Sequence, residues 1–139
     1  KSVMQSWTPN LETGDPDIDN HHQELFQLTA MLDDAIRSQS VEKLDSIISF
    51  LEHYVIEHFC EEETLMETHR YAFYDHHKAE HEVFKAHVSE LRKIYLEGIS
   101  LTHVIFAIRK ILDKLVYHIR TVDIGIVGIV NSEHHEKSS

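Results

Sequence analysis

The chain has 139 residues, enough for one domain with a sizeable core, and 42% of them are hydrophobic, an ordinary share for a globular protein. A formal net charge of −11 argues against nucleic acid or an anionic membrane as partners, because both need a basic footprint. The lone cysteine, Cys60, excludes a disulfide framework, a Cys-x-x-Cys pair and an iron–sulfur cluster; with no signal segment and no apolar run near ~20 residues, the expected location is cytoplasmic, without membrane insertion.

Residues 1–17 lack periodicity and hold Pro9, Gly14 and Pro16, which predicts an extended N-terminal arm docked on the rest of the chain through Trp7. From Ile18 the positions Ile18, His22, Leu25, Thr29, Leu32 and Ile36 follow a 4-3-4-3-4 spacing, the seam of a helix over roughly 19–37. Ser38-Gln39-Ser40 breaks it, and Ser40 is the candidate N-cap of a second helix reaching about Glu67, with the seam Leu51, Val55, His58, Glu62, Leu65. The third helix reads Tyr74, His77, His81, Phe84, Val88, Leu91, Tyr95 and stops at Gly98. Ser100 caps a fourth, with the seam Leu101, Val104, Ile108, Ile111, Leu115, His118, Val122. The run from Ile124, interrupted by Gly125 and Gly128, reads either as a last helical turn or as a connection, within a C-terminal segment or tail over 124–139. Four amphipathic helices over 18–123 with short connections predict an all-α, up-down-up-down antiparallel four-helix bundle.

Thirteen histidines are several times the usual share, and every seam carries one where leucine belongs. A buried imidazole without a partner is costly, so histidines on all four seams need something central to satisfy them. The pairs His58/His81 and Glu62/His77 are both symmetric about the point between His69 and Arg70, so a hairpin there brings all four to one depth. His22 and His58 are symmetric about Ser40, and His118 with His77 or His81 centres beside Gly98. His22, His58, Glu62, His77, His81 and His118 therefore share one layer, the position of a metal site in a bundle. Asp123 is taken as the second carboxylate although five residues from His118 is about 140° around a regular helix. Reaching the layer requires either a π-type widening of the fourth helix or a loosened last turn. The off-seam His21 and His76 are assigned to the surface, and they and His53, His69, His87, His103, His134 and His135 are read as exposed or locally hydrogen-bonded histidines.

Five imidazoles, two bridging carboxylates and one bridging oxygen give eleven donor bonds to a pair of ions that together take twelve, leaving one position open. That mixed, six-coordinate donor set favours iron over four-coordinate zinc, and manganese or cobalt would fit it too.

These residues resemble the hemerythrins, in particular bacterial hemerythrin-like proteins. The resemblance rests on Ile18-Asp19 with His22 and Leu25-Phe26; His58-Phe59 with Glu62-Glu63 and Leu65-Met66; Tyr71 with His77, Glu80-His81 and Phe84; and Leu115 with His118 and Asp123. It implies two non-haem iron ions in an oxygen-bridged di-iron centre, one iron held by His77, His81 and His118, the other by His22 and His58, with Glu62 and Asp123 bridging. Dioxygen is the implied partner, binding reversibly at the open position of the two-histidine iron. Leu25, Phe59, Leu115 and Ile119 are the candidate apolar lining. The chain departs from the usual pattern at His21, commonly glutamine, at Ala72, commonly proline, and at Lys114, often tryptophan.

The functional expectation is oxygen binding for storage, transport or delivery, by a protein that is not an enzyme. One alternative is an oxygen- or redox-sensing domain covalently attached to a signalling domain, which a first residue other than Met leaves room for. A di-iron oxidase or peroxidase is weaker, because no Glu-x-x-His pair occurs in the sequence.

Overall fold

The computed structural model describes residues 11, 13–98 and 100–128. Helix α1 spans Pro16–Ser38, α2 Val41–His53, α3 Phe59–Thr68, α4 Tyr74–Glu97 and α5 Leu101–Thr121. A π-helical turn, Tyr54–His58, joins α2 to α3 without leaving helical backbone, so the two form one long helix. α1 packs on α2 and α5, α2 on α4, and α4 on α5, which closes the four-helix bundle. Among the described residues no helix is long and apolar enough to cross a membrane.

The ends of the helices follow local chemistry. α1 begins at Pro16, earlier than the seam alone suggests: the Asp15 carboxylate accepts from the backbone N–H of Asp17 and Ile18, and proline needs no donor partner at a first turn. α1 thus takes in Pro16 and Asp17, the last two residues of the expected arm, and Trp7 lies outside the described residues. α1 ends where Gln39 adopts a left-handed conformation, φ 52°. Ser40 and Ser100 cap α2 and α5 as expected, their hydroxyls accepting from the N–H of Lys43 and His103. Gly98 stops α4 at φ 65°, where a Cβ would be strained.

The core changes character along the bundle axis. Towards the α1–α2 and α4–α5 turns it is aliphatic: Leu32, Leu44, Ile47, Ile48, Leu51, Leu91, Ile108 and Leu112 are all fully buried. Towards the α3–α4 turn the seams supply His22, His58, Glu62, His77, His81, His118 and Asp123, each no more than 2% exposed. The aliphatic half provides the apolar burial that orders the bundle and holds the polar half in place. A small satellite of Ile18, Ile126 and the half-buried Leu65 closes the polar end.

Asp19, one residue past the α1 seam, is also buried, and it ties the chain before the helix to α1. Its carboxylate accepts from the backbone N–H and hydroxyl of Thr13, at 2.7 and 2.8 Å, and from the N–H of Gly14 at 3.1 Å. Asp19→Ala leaves those donors unpaired and is expected to cost about 1–3 kcal/mol. Urea unfolding monitored by circular dichroism measures this, and an unchanged midpoint would show that the contact contributes nothing net.

Candidate metal centre

Each helix brings its donors to the centre differently. In α1 the regular helical spacing from Ile18 suffices for His22. In α4, His77 and His81 are one turn apart on a single face. The second helix needs its π-turn: the wider turn lets two adjacent pairs, Tyr54-Val55 and His58-Phe59, all be buried. His58 and Glu62 then follow one turn apart, on a face that already carries Phe59.

Asp123 gets there by the second of the two expected routes. No π-turn occurs in α5; instead α5 ends at Thr121 and a 3-10 turn, Asp123–Ile126, brings the carboxylate back over His118. The described part of the C-terminal segment thus follows the helical-turn reading of the run from Ile124, with Ile126 fully buried. Tyr71, from the α3–α4 turn, presses on this 3-10 turn. A Cβ on Gly125 would meet the Tyr71 hydroxyl at 2.5 Å, so a glycine there permits the close approach.

All seven predicted residues come together, and the carboxylate oxygens divide them into two groups. Glu62 Oε2 lies 3.2 Å from His22 Nε2 and 3.0 Å from His58 Nε2, while Glu62 Oε1 lies 3.4 and 3.1 Å from the Nε2 atoms of His77 and His81. Asp123 repeats the division. Its Oδ2 is 3.0 Å from His22 Nε2, and its Oδ1 is 2.8 Å from both His77 Nε2 and His118 Nε2. Each carboxylate thus faces the two-histidine group with one oxygen and the three-histidine group with the other.

Hydrogen bonding among these residues does not account for the arrangement. The Nε2 atoms of His58, His77, His81 and His118, Oε1 of Glu62 and both Asp123 oxygens are buried and without a hydrogen-bond partner. Their separations of 2.8–3.4 Å are instead those of neighbouring donors on one ion, since adjacent ligands at about 2.1 Å from a six-coordinate metal stand about 3 Å apart. The cluster fits a metal site, and its mixed imidazole and carboxylate donors suit iron.

The electrostatics agree with a site built for positive charge. Burial would raise the Glu62 carboxyl, yet the imidazoles of His58, His22 and His77 around it hold it well below the usual range. Asp123 is likewise held low: burial and Glu62 oppose ionisation, and His118 and His22 overcome them. In return, His22 is pushed up to about 10 and His77 to about 9, because Asp123 and Glu62 outweigh the desolvation that would lower them. The two buried carboxylates stay ionised and require cations beside them, either protons on the rings or metal ions between the donors.

The outward nitrogens expose residues that seam arithmetic passes over. His81 Nδ1 donates to Glu63 Oε2 at 2.8 Å, and His118 Nδ1 donates to Glu80 Oε1 at 2.9 Å. Nδ1 of His58 lies 3.1 Å from Nδ1 of His21, which Glu61 approaches at 3.4 Å. Such partners fix ring orientation and the nitrogen that carries the proton. His21, Glu63 and Glu80 each stand one residue before or after a seam donor, and that offset was the available signal in the sequence. His21 is therefore half-buried against the centre rather than a surface residue; His69 is half-buried too. His53, His76, His87 and His103 are exposed as expected, and His134 and His135 lie outside the described residues.

Aromatic and aliphatic groups close the layer. Phe59 stacks flat on His81, with ring centres 3.8 Å apart, and Tyr54 stacks on His58 at 4.7 Å. Leu25, Leu115 and Ile119, the other candidate lining residues, are fully buried with Phe59 in the same core.

Comparison with known proteins agrees with this geometry. The family model described as hemerythrin HHE cation binding domain matches residues 13–128. A bacteriohemerythrin of Pseudomonas paraeruginosa is 33% identical over 131 residues, covering 94% of this chain and 84% of that protein. Similar proteins of the same name occur in Stenotrophomonas maltophilia, 30% identical over 84% of this chain and 75% of the relative, and in Methylococcus capsulatus, 33% identical over 76% and 79%. No solved structure gives a significant match. A match over nearly the whole bundle, in a chain whose seven buried donors form one metal-fitting layer, shows that it belongs to the hemerythrin family of non-haem iron proteins.

Proposed function

We propose that this chain holds two iron ions and binds dioxygen reversibly. His77, His81 and His118 would hold one iron, His22 and His58 the other, with Glu62 and Asp123 bridging through opposite oxygens. The observation that carries this reading is the uneven division around evenly shared carboxylates: three imidazoles face one side of the pair and two the other. The side with fewer donors has room for an exogenous ligand. When bound, such a pair supplies the two electrons that dioxygen takes on binding and returns on release.

The chain's own residues favour binding over catalysis. Leu25, Phe59, Leu115 and Ile119 present no polar group and would keep water from displacing a bound ligand. Tyr54 is the buried hydroxyl-bearing residue stacked on His58, and burial together with the charges of Asp123 and Glu62 pushes its phenol well above the ordinary range. It therefore stays protonated at neutral pH and is a poor general base.

Iron per chain and the visible spectrum test the proposal, recorded on reduced protein, then in air, then after oxygen is removed. Two irons and a charge-transfer band that appears with oxygen and vanishes without it are the expected result. Irreversible oxidation on first exposure would sink the reversible-binding reading in favour of redox sensing or an oxidase, and fewer than two irons would overturn the ligand set.

A further inference from the structure

The five histidines of the centre differ in what meets their outward nitrogen. Glu63 and Glu80 meet His81 and His118, and a carboxylate can only accept, so it holds a proton on Nδ1 and leaves the Nε2 lone pair facing inward. Nδ1 of His22 and of His77 is buried with no partner. His58 alone faces another imidazole, His21, and that neighbour can either donate or accept.

Two imidazole nitrogens 3.1 Å apart share one proton, and its position decides what His58 presents to the centre. With the proton on His21 Nδ1, His58 Nδ1 accepts it, and the remaining His58 proton sits on Nε2, 3.0 Å from Glu62 Oε2. With the proton on His58 Nδ1, His21 accepts, and His58 Nε2 is a bare lone pair facing Glu62. Two lone pairs at that distance repel unless a cation lies between them. The first arrangement suits a centre without metal and the second a centre with metal.

From this geometry we infer that His21 is a positioning residue for the two-histidine side, a reversible partner that switches the tautomer of His58 as a cation arrives or leaves. The proton balance closes. A cation displaces the Nε2 proton of His58 to solvent, the proton shared between the rings passes from His21 Nδ1 to His58 Nδ1, and the half-exposed His21 takes one proton from solvent on its own Nε2. Each ring carries one proton before and after. Glu61, 3.4 Å from His21 Nδ1, favours a proton on His21 and so biases the pair towards the metal-free arrangement. The inference rests on the proposed ligand set, in which His58 donates through Nε2.

Three replacements of His21 separate this role from space filling. His21→Leu removes the partner, His21→Gln offers both an N–H and a carbonyl oxygen, and His21→Glu can only accept when ionised. Iron release from the reduced, loaded protein to a ferrous chelator is the first readout. We expect release from one iron of the pair to be on the order of 10- to 100-fold easier in His21→Leu, with His21→Gln and His21→Glu restored to within a few-fold of the original. Equal release from the Leu and Gln variants would reduce His21 to packing. A second readout needs no iron: nitrogen–proton NMR of the full chain isolated without metal. His58 should carry its proton on Nε2 with His21 present and lose that preference in His21→Leu; an Nδ1-protonated His58 in both would overturn the inference. A wild-type protein that takes up no iron would defeat the proposed function, while the NMR result would still decide the role of His21.

Discussion

Replacing His118 with alanine should release iron and destabilise the fold, whereas replacing His76, another histidine of the same sequence region, should do neither. His118 is 2% exposed and contacts Asp123 Oδ1 at 2.8 Å through one nitrogen and Glu80 through the other. Removing it takes away one of the three imidazoles on its side and leaves the buried Asp123 short of a partner. Deleting one member of a buried charged pair typically costs about 3–5 kcal/mol, mostly because the survivor is stranded. His76 is 71% exposed and touches Glu80 on the face away from the centre, at 2.9 Å. Its removal frees Glu80 to serve His118 alone. Iron content after gel filtration, with the thermal midpoint, reads both variants. Full iron retention in His118→Ala would strike His118 from the ligand set, and iron loss in His76→Ala would mean that the register of α4 at the centre is wrong.

Stripping iron from the whole protein is the second large effect expected. Without metal, two ionised carboxylates sit fully buried among five imidazoles, and only protons balance them. Ions that bind the folded chain and not the unfolded one stabilise it by mass action; a free ion concentration about a thousand-fold above the dissociation constant is worth about 4 kcal/mol. For a domain of this size that corresponds to roughly 10 °C in the thermal midpoint. Differential scanning calorimetry before and after chelation, with iron added back to restore the original trace, measures it. Coincident traces would mean that the buried donors are satisfied without metal and that the ligand set contributes nothing to the fold.

Both predictions concern residues that the sequence already singled out, and the reason is geometric. In a bundle of straight antiparallel helices, depth along the axis is a linear function of residue number. Symmetry about Ser40, the His69/Arg70 point and Gly98 therefore places His22, His58, Glu62, His77, His81 and His118 in one layer before any coordinate is known. The seams and the Ser40, Gly98 and Ser100 signals are equally local, because periodicity, hydroxyl caps and a left-handed glycine act within one or two turns.

What the sequence by itself determined is the architecture and the common depth of the six seam donors, since both follow from helical period and spacing; the family resemblance rested on the motifs around those donors. What only the tertiary structure decided lies where that regularity breaks or where the second neighbour matters. The π-turn sits at Tyr54–His58 and not in the last helix, and Asp123 arrives on a 3-10 turn that Tyr71 presses against at Gly125. The π-turn in the second helix was not read from the sequence, and for Asp123 the spacing left two routes open, a widened helix or a loosened last turn, between which the folded chain decides. The pairing of His21 with His58, Glu63 with His81 and Glu80 with His118 is likewise a matter of rotation about each helix axis. Residue number gives depth in a bundle, but the packed side chains set the rotation, and rotation decides which flanking residue meets the outward side of each ring.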